Sequence, residues 1–463
     1  MKDDIIKILK SWKARDSKVN STQSLLDWIH EMNEKFVVNV DEIPMEKDDF
    51  WFYNEEKGII ENKKGSFFSI RGIKYYRKGY VVSEQPIIYQ REIGFLGIIC
   101  KEIDGIMYFL MQAKVEPGNV NCVQISPTIQ ATKSNFQQAH GGKVPNYFSY
   151  FENSKKYDII FDQIQSEQGM RFYKKRNRNI MIRVDEDIEV LPAFKWMTLG
   201  QIKEFMKIDN LVNMDTRTVL SCIPFSTYYY TSEERTEISE CIPDKLLYAS
   251  IFKANIQDGL EKVFNFQNNV KMFMDIKSKL VPLSELENWS VTNEGIQCKH
   301  QANFDVRYYD IEISGREVRN WRQPLVKAKG KGTFGLLICQ HEGMYKFLVA
   351  VRAEIGAFDT IEIGPSIFQE PVRNRKTDYI IEMFSERLKT GEGVLKDSLF
   401  SEEGGRFYHE QNRNVIMEIP YIEPEKLPKG YFWLTYSSLN CLIQINNCLN
   451  IQLRNLLSVI DII

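Results

Sequence analysis

Long apolar runs are missing from this chain. No stretch of about 18 apolar residues occurs, so no transmembrane helix is expected. The opening Met1-Lys-Asp-Asp-Ile-Ile-Lys7 lacks the apolar core of a secretion signal. Asn20-Ser-Thr22 therefore fits the glycosylation pattern without meaning. Eight cysteines are scattered with no C-x-x-C pair, and five histidines are dispersed. That spacing argues against a structural zinc. It suits buried free thiols, such as Cys100, Cys122 and Cys339, in a reducing cytoplasm. An excess of one charge is also missing, with 60 basic and 62 acidic residues. No global field points to nucleic acid, and no membrane partner is expected.

What is present is a polar stretch, Lys114 to Gln130, that bears Lys114, Glu116, Asn119, Asn121, Gln124, Thr128 and Gln130. It reads as a strand, a turn at Pro117-Gly118, and a second strand in which Val123 and Ile125 alternate with Gln124 and Ser126. A shift of 238 positions carries Glu116 onto Glu354 and repeats the layout. At that shift Gly94, Gly97, Gly105, Phe109, Leu110, Gly118, Ile125, Pro127 and Ile129 also meet identical residues. Further on, nine of fourteen positions agree between Ser166–Asn179 and Ser401–Asn414. Trp196 pairs with Trp433, and Arg217 with Arg454.

The expected fold class is α+β, with two tandem copies of a mixed sheet with helices. Residues 1–42 read as two helices, the second capped by Ser21 or Ser24. The first repeat covers 43–224, a helical connector 225–280, and the second repeat 281–463. Asp104-Gly105 and Glu342-Gly343 each mark a hairpin turn. Tyr157–Gln165 reads as a helix, Thr198 with Gln201 as a capping box, and Asn210–Arg217 as part of a last helix. Gly330-Lys-Gly-Thr-Phe-Gly335 fits G-x-G-x-x-G but precedes a strand, which fails the context of a dinucleotide site.

Several motifs together carry a resemblance over nearly the whole chain. They are Gln85-Pro-Ile-Ile, Glu92-Ile-Gly94, Gln112–Asn119, Pro127–Asn135, His140-Gly-Gly142, Ser166-Glu-Gln-Gly169, Arg176-Asn-Arg-Asn179 and Asp209–Thr218. With these motifs the sequence is similar to the NDP-hexose 2,3-dehydratases of deoxysugar biosynthesis. The resemblance implies two Nudix-like domains arisen by duplication and a homodimer. The Nudix hydrolases' own signature, G-x5-E-x7-R-E-U-x-E-E-x-G-U, is absent from both halves. Shared fold alone would mislead here.

The implied substrate is a dTDP-4-keto-6-deoxy-hexose that loses water across C2 and C3. Its C4 ketone acidifies the C3 proton, so a base, an acid and donors for the enolate oxygen suffice, with no cofactor and no metal. The 3,4-diketo-2,6-dideoxy product is labile, which implies a downstream 3-ketoreductase. A nucleotide-sugar-binding protein without catalysis and a divergent Nudix pyrophosphatase are the alternatives.

Candidate catalytic residues are Glu116, His140 and Tyr173. Glu116 is a candidate C3 base, or else a structural partner of Lys114, a pairing kept as Arg352 and Glu354 in the second copy. His140 has no second-copy equivalent, and a histidine suits proton transfer near neutrality. Tyr173 is a possible enolate donor, but its twin Tyr408 equally suits packing. Lys175, Arg176 and Arg178 form a basic cluster beside Asn177 that suits a diphosphate and is thinned in the second copy. Trp51 could stack on a base, though its twin Trp289 speaks for packing. Lys114, Asn119, Gln124, Thr128, Gln130, Ser134, Asn135 and Arg217 complete the expected substrate contacts. On a helix Asn213 and Arg217 would share a face, with Asp215 turned away.

Overall fold

The computed structural model describes residues 2–132, 144–316, 318–372 and 378–461. Two hairpins organise it. Gly94–Ile103 and Ile106–Val115 join at Asp104 and Gly105, whose φ angles are 51° and 75°. Thr333–His341 and Met344–Ala353 join at Glu342 and Gly343, at 53° and 72°. Two successive positive φ angles suit the right-handed twist of the strands they connect.

Each hairpin lies inside a seven-stranded mixed sheet. In the first, the order is Asp158–Ser166, Arg176–Arg183, the hairpin, then Phe194–Thr198. The short strands Val123–Ser126 and Ile129–Ala131 also pair with the hairpin. Among the described strands of this sheet only the pairing of Arg176–Arg183 with Gly94–Ile103 is parallel. The second sheet follows the same order with Val394–Ser401, Gln411–Glu418, its hairpin and Tyr431–Thr435.

The segment expected as a helix over Tyr157–Gln165 is a strand, Asp158–Ser166. Phe161, Gln163 and Gln165 are buried while Asp162 is exposed, an alternation only a strand satisfies. The β-branched Ile159, Ile160 and Ile164 favour the same outcome.

Two smaller sheets exchange strands. Ile276–Val281, which leads into the second repeat, pairs antiparallel with Ser69–Arg77 of the first. Val38–Ile43, which leads into the first, pairs with Phe304–Ile313 of the second. The turns are exchanged too. Gly118 donates its N–H to the Gly404 carbonyl at 2.7 Å, and Gly356 donates to Gly169 at 2.8 Å.

The connector contains helices Ser232–Cys241, Lys245–Phe252 and Leu260–Phe273. Lys245–Phe252 lies on Met344–Ala353 as the N-terminal helix Lys2–Lys13 lies on Ile106–Val115. Ser21 caps helix Thr22–Lys35, and Thr198 with Gln201 forms the capping box. Helices Met214–Ser221 and Ile451–Val459 pack together where the repeats meet. One hydrophobic cluster runs through both repeats and includes the twin, fully buried Phe109 and Phe347. Truncating such an aromatic to Ala costs about 3–5 kcal/mol. Among the described residues no helix is long and apolar enough to cross a membrane.

Candidate active site

A cavity of about 610 Å³ opens beside the stretch that begins at Lys114. The first repeat supplies most of the wall, with Trp51, Phe67, Gln90, Lys114, Glu116, Gln130, Glu167, Lys175, Asn177 and Asp215. The second repeat closes it with Arg316, Trp321, Arg322, Gln323, Glu403 and Arg406. The exchanged strands and turns bring those residues across.

On one side two cations hold a carboxylate. Lys114 Nζ lies 3.1 Å from Glu116 and donates to the Gln130 carbonyl at 2.9 Å. Arg316 lies 2.9 Å from Glu116 and donates to the Val115 carbonyl. Burial alone pushes the Glu116 carboxyl up, but Arg316 and Lys114 outweigh it and hold it at about 2. Glu116 is thus a fixed anion across the working range.

On the other side three buried carboxyls meet. Among the described residues Glu167 Oε1, Asp215 Oδ1 and Glu403 Oε2 have no hydrogen-bond partner. Glu167 accepts from Asn177 Nδ2 through its second oxygen. Burial and the nearby Glu403 push its pKa up to about 7. Asp215 is raised well above the carboxylate range by burial, then by Glu167 and Glu403. Burial raises Glu403 as well, against the pull of Arg406 at 3.2 Å. Lys175 donates to the Glu92 carbonyl at 2.7 Å, and burial with the Arg406 charge brings it down to about 8. Like charges so close cannot all ionise, so the cluster retains a proton near neutral pH. It therefore holds a base and an acid together.

This arrangement costs stability. A folded-state pKa near 7 against an ordinary 4.5 gives Glu167 a contribution that is full below about 4.5 and lost as pH rises through 7. The Glu167→Gln protein is expected to be more stable than the parent near pH 8, by about 3 kcal/mol, with the gain largely gone near pH 5. Thermal unfolding at the two pH values checks this, and an equal difference at both would contradict it.

Of the residues singled out from sequence, Trp51, Lys114, Glu116, Gln130, Lys175 and Asn177 line the cavity. Others face elsewhere. Asn119 donates to the Cys122 carbonyl and holds its own turn. Gln124 donates to Ser401 Oγ at 2.7 Å. Thr128 bridges Ile99 N and the Leu110 carbonyl inside the sheet. Tyr173 stacks on Tyr89 at 6.1 Å. Arg178 forks Asp162 at 2.8 and 2.6 Å, because strand alternation turns 175 and 177 inward and 176 and 178 outward. Ser134, Asn135 and His140 lie outside the described residues.

Arg217 and Asp215 exchange their expected places. Asn213 is the N-cap of helix Met214–Ser221 rather than a residue inside it. Asp215 then faces the cavity, while Arg217 is buried and donates to the Val212 and Ser401 carbonyls. Gln90, Glu167, Arg316, Glu403 and Arg406 are not singled out from sequence, and Asp215 is expected there to point away. Glu167 is repeated as Glu402, a recurrence that reads as structural. Nothing local ties Arg316 or Glu403 to a cavity in the other repeat.

The doubled sequence has counterparts among known proteins. The NDP-hexose 2,3-dehydratase family model matches twice, over residues 22–223 and 260–460. A dTDP-4-dehydro-6-deoxy-alpha-D-glucopyranose 2,3-dehydratase of Saccharopolyspora spinosa is 37% identical over 425 residues, covering 90% of this chain and 86% of that protein. An enzyme of the same name from Amycolatopsis orientalis is 31% identical, covering 98% of this chain and 93% of its own. A third, from Streptomyces violaceoruber, is 32% identical, covering 95% and 97%. Two matches of one family model, spaced like the two sheets, agree with the doubling: the chain belongs to the NDP-hexose 2,3-dehydratase family.

Proposed function

We propose that this protein is a hydro-lyase that removes water across C2 and C3 of a dTDP-4-keto-6-deoxy-hexose. The observation that carries the mechanism is the meeting, in one buried cavity, of three carboxyls raised above their ordinary range with cations beside them. Glu167, ionised, takes the C3 proton. Lys114 donates to the C4 oxygen as the enolate forms. Asp215, which keeps its proton, passes it to the C2 hydroxyl, which leaves as water. The resulting 3-enol takes a proton at C2 and loses that on O3, giving the 3,4-diketo-2,6-dideoxy sugar. Arg316 and Arg406 are assigned to the diphosphate, whose oxygens suit guanidinium forks. Glu116, held at about 2, is too weak a base for this step and instead orients Lys114 and Arg316.

The same reading takes each repeat as Nudix-like, the enzyme as a cytoplasmic homodimer, and a 3-ketoreductase as the consumer of the labile product. Its support is the family membership and the chemistry of a diketo sugar.

Proton NMR of dTDP-4-keto-6-deoxy-glucose with the enzyme in deuterated water tests the reaction, with a 3-ketoreductase and its nicotinamide trapping the product. A trapped sugar with two hydrogens or deuteriums at C2 and no C2 hydroxyl is expected. A sugar that binds yet stays unchanged would overturn the reading in favour of a non-catalytic binder. Release of a sugar phosphate would overturn it in favour of a pyrophosphatase.

A further inference from the structure

We infer that Arg454 and Glu362, both in the second repeat, are positioning residues for Glu167 in the first. This rests on Glu167 being the base proposed above. Ser166, the residue before Glu167, is held from the second repeat at its hydroxyl and its carbonyl. Its hydroxyl donates to Glu362 Oε2 at 2.7 Å, and its carbonyl accepts from the Arg454 guanidinium. One residue earlier, Gln165 donates to the Ile443 carbonyl at 2.7 Å. Arg454 is 1% exposed and Glu362 2%, so neither contact is shared with solvent.

The arrangement is reciprocal. In the first repeat Gln124 and Arg217 hold the hydroxyl and carbonyl of Ser401, two residues before Glu403. Each repeat thus grips the Ser-Glu loop of the other. Both carboxyls that enter the cavity from these loops, Glu167 and Glu403, depend on a grip from the opposite repeat.

Among the described residues Arg454 forks no carboxylate and donates to the Leu449 and Ser166 carbonyls and to Thr218 Oγ1, and a buried charge so placed is costly to keep for packing alone. Here its charge also reaches the base. The groups around Glu167 are Glu403, Asp215, Lys175 and Arg454. Arg454 and Lys175 favour its ionised form, while the two acids oppose it. Loss of Arg454 therefore makes Glu167 harder to ionise and moves the acid limb of activity toward higher pH.

The test compares Arg454→Met, Ser166→Ala and Glu167→Gln in the full chain, reading kcat, KM and the pH profile of kcat. Arg454→Met is expected to lower kcat about 10- to 100-fold with KM little changed, because displacement of the base costs turnover rather than binding. It is also expected to move the acid limb upward. Ser166→Ala, which removes one buried hydroxyl, settles the matter if Arg454→Met does not fold. A kcat loss of about tenfold at constant KM is expected. Parental kcat and an unmoved acid limb in whichever of these variants fold would overturn the inference, however far their melting temperatures fall. If Glu167→Gln abolishes turnover while those two variants match the parent, this inference alone fails. If Glu167→Gln turns over normally, the base assignment fails and this inference with it.

Discussion

Glu167→Gln is expected to lower kcat about a thousandfold while the protein still binds dTDP, the loss typical of removing a positioned general base. The substitution keeps the size of the side chain and a group able to accept from Asn177. It removes only the carboxylate that takes the proton. Asp215→Asn is expected to stop elimination as well, at the other end of the reaction. Following deuterium at C3 separates the two. With Asp215→Asn the base still works, so the C3 proton continues to exchange with solvent although water is not lost. With Glu167→Gln both exchange and elimination stop. In the parent the acid limb of kcat is expected near pH 7, since Glu167 must be ionised and burial places it at about 7. Turnover of Glu167→Gln within threefold of the parent would return the base role to another group.

Gly118→Ala is expected to destabilise the protein by about 3–5 kcal/mol, at the upper end of single-residue effects. The cause is space rather than backbone conformation. A Cβ at 118 would sit 1.5 Å from the Phe407 carbonyl oxygen and 2.9 Å from that of Gly404. Both are main-chain atoms of the second repeat, so the exchanged turn would have to withdraw from its seat. Gly105→Ala is the comparison. Its Cβ would meet nothing within 4 Å, and only its φ of 75° is strained. The expected cost there is about 1 kcal/mol. Denaturant midpoints rank the two, and an equal loss would show that the turn is not wedged between the repeats.

The sequence alone was enough for several features governed by neighbours in the chain. The doubling appears as identity at a constant shift. Hairpin turns follow from Asp-Gly and Glu-Gly, whose glycines accept positive φ. The box at Thr198 and a cap at Ser21 or Ser24 need only three or four residues to form. The polar residues of Tyr157–Gln165, expected as a helix, satisfy a helical stripe nearly as well as a strand. The order is settled by pairing with Arg176–Arg183, a partner outside any local window.

Placement of the charges was decided only by tertiary structure. Lys175 and Asn177 enter the cavity and Arg178 does not, because Asn177 and Arg178 point to opposite faces of their strand and Lys175 stands just before it. Asp215 enters and Arg217 does not, because Asn213 caps the helix and Ser401 of the other repeat claims the arginine. Arg316, Glu403 and Arg406 reach the first repeat through exchanged strands and turns, each closed by contacts more than 150 residues apart. The shifted pKa values of Glu167 and Asp215 have the same origin. Burial and like charge from two distant segments set them, and neither is a property of the residues beside them in the chain.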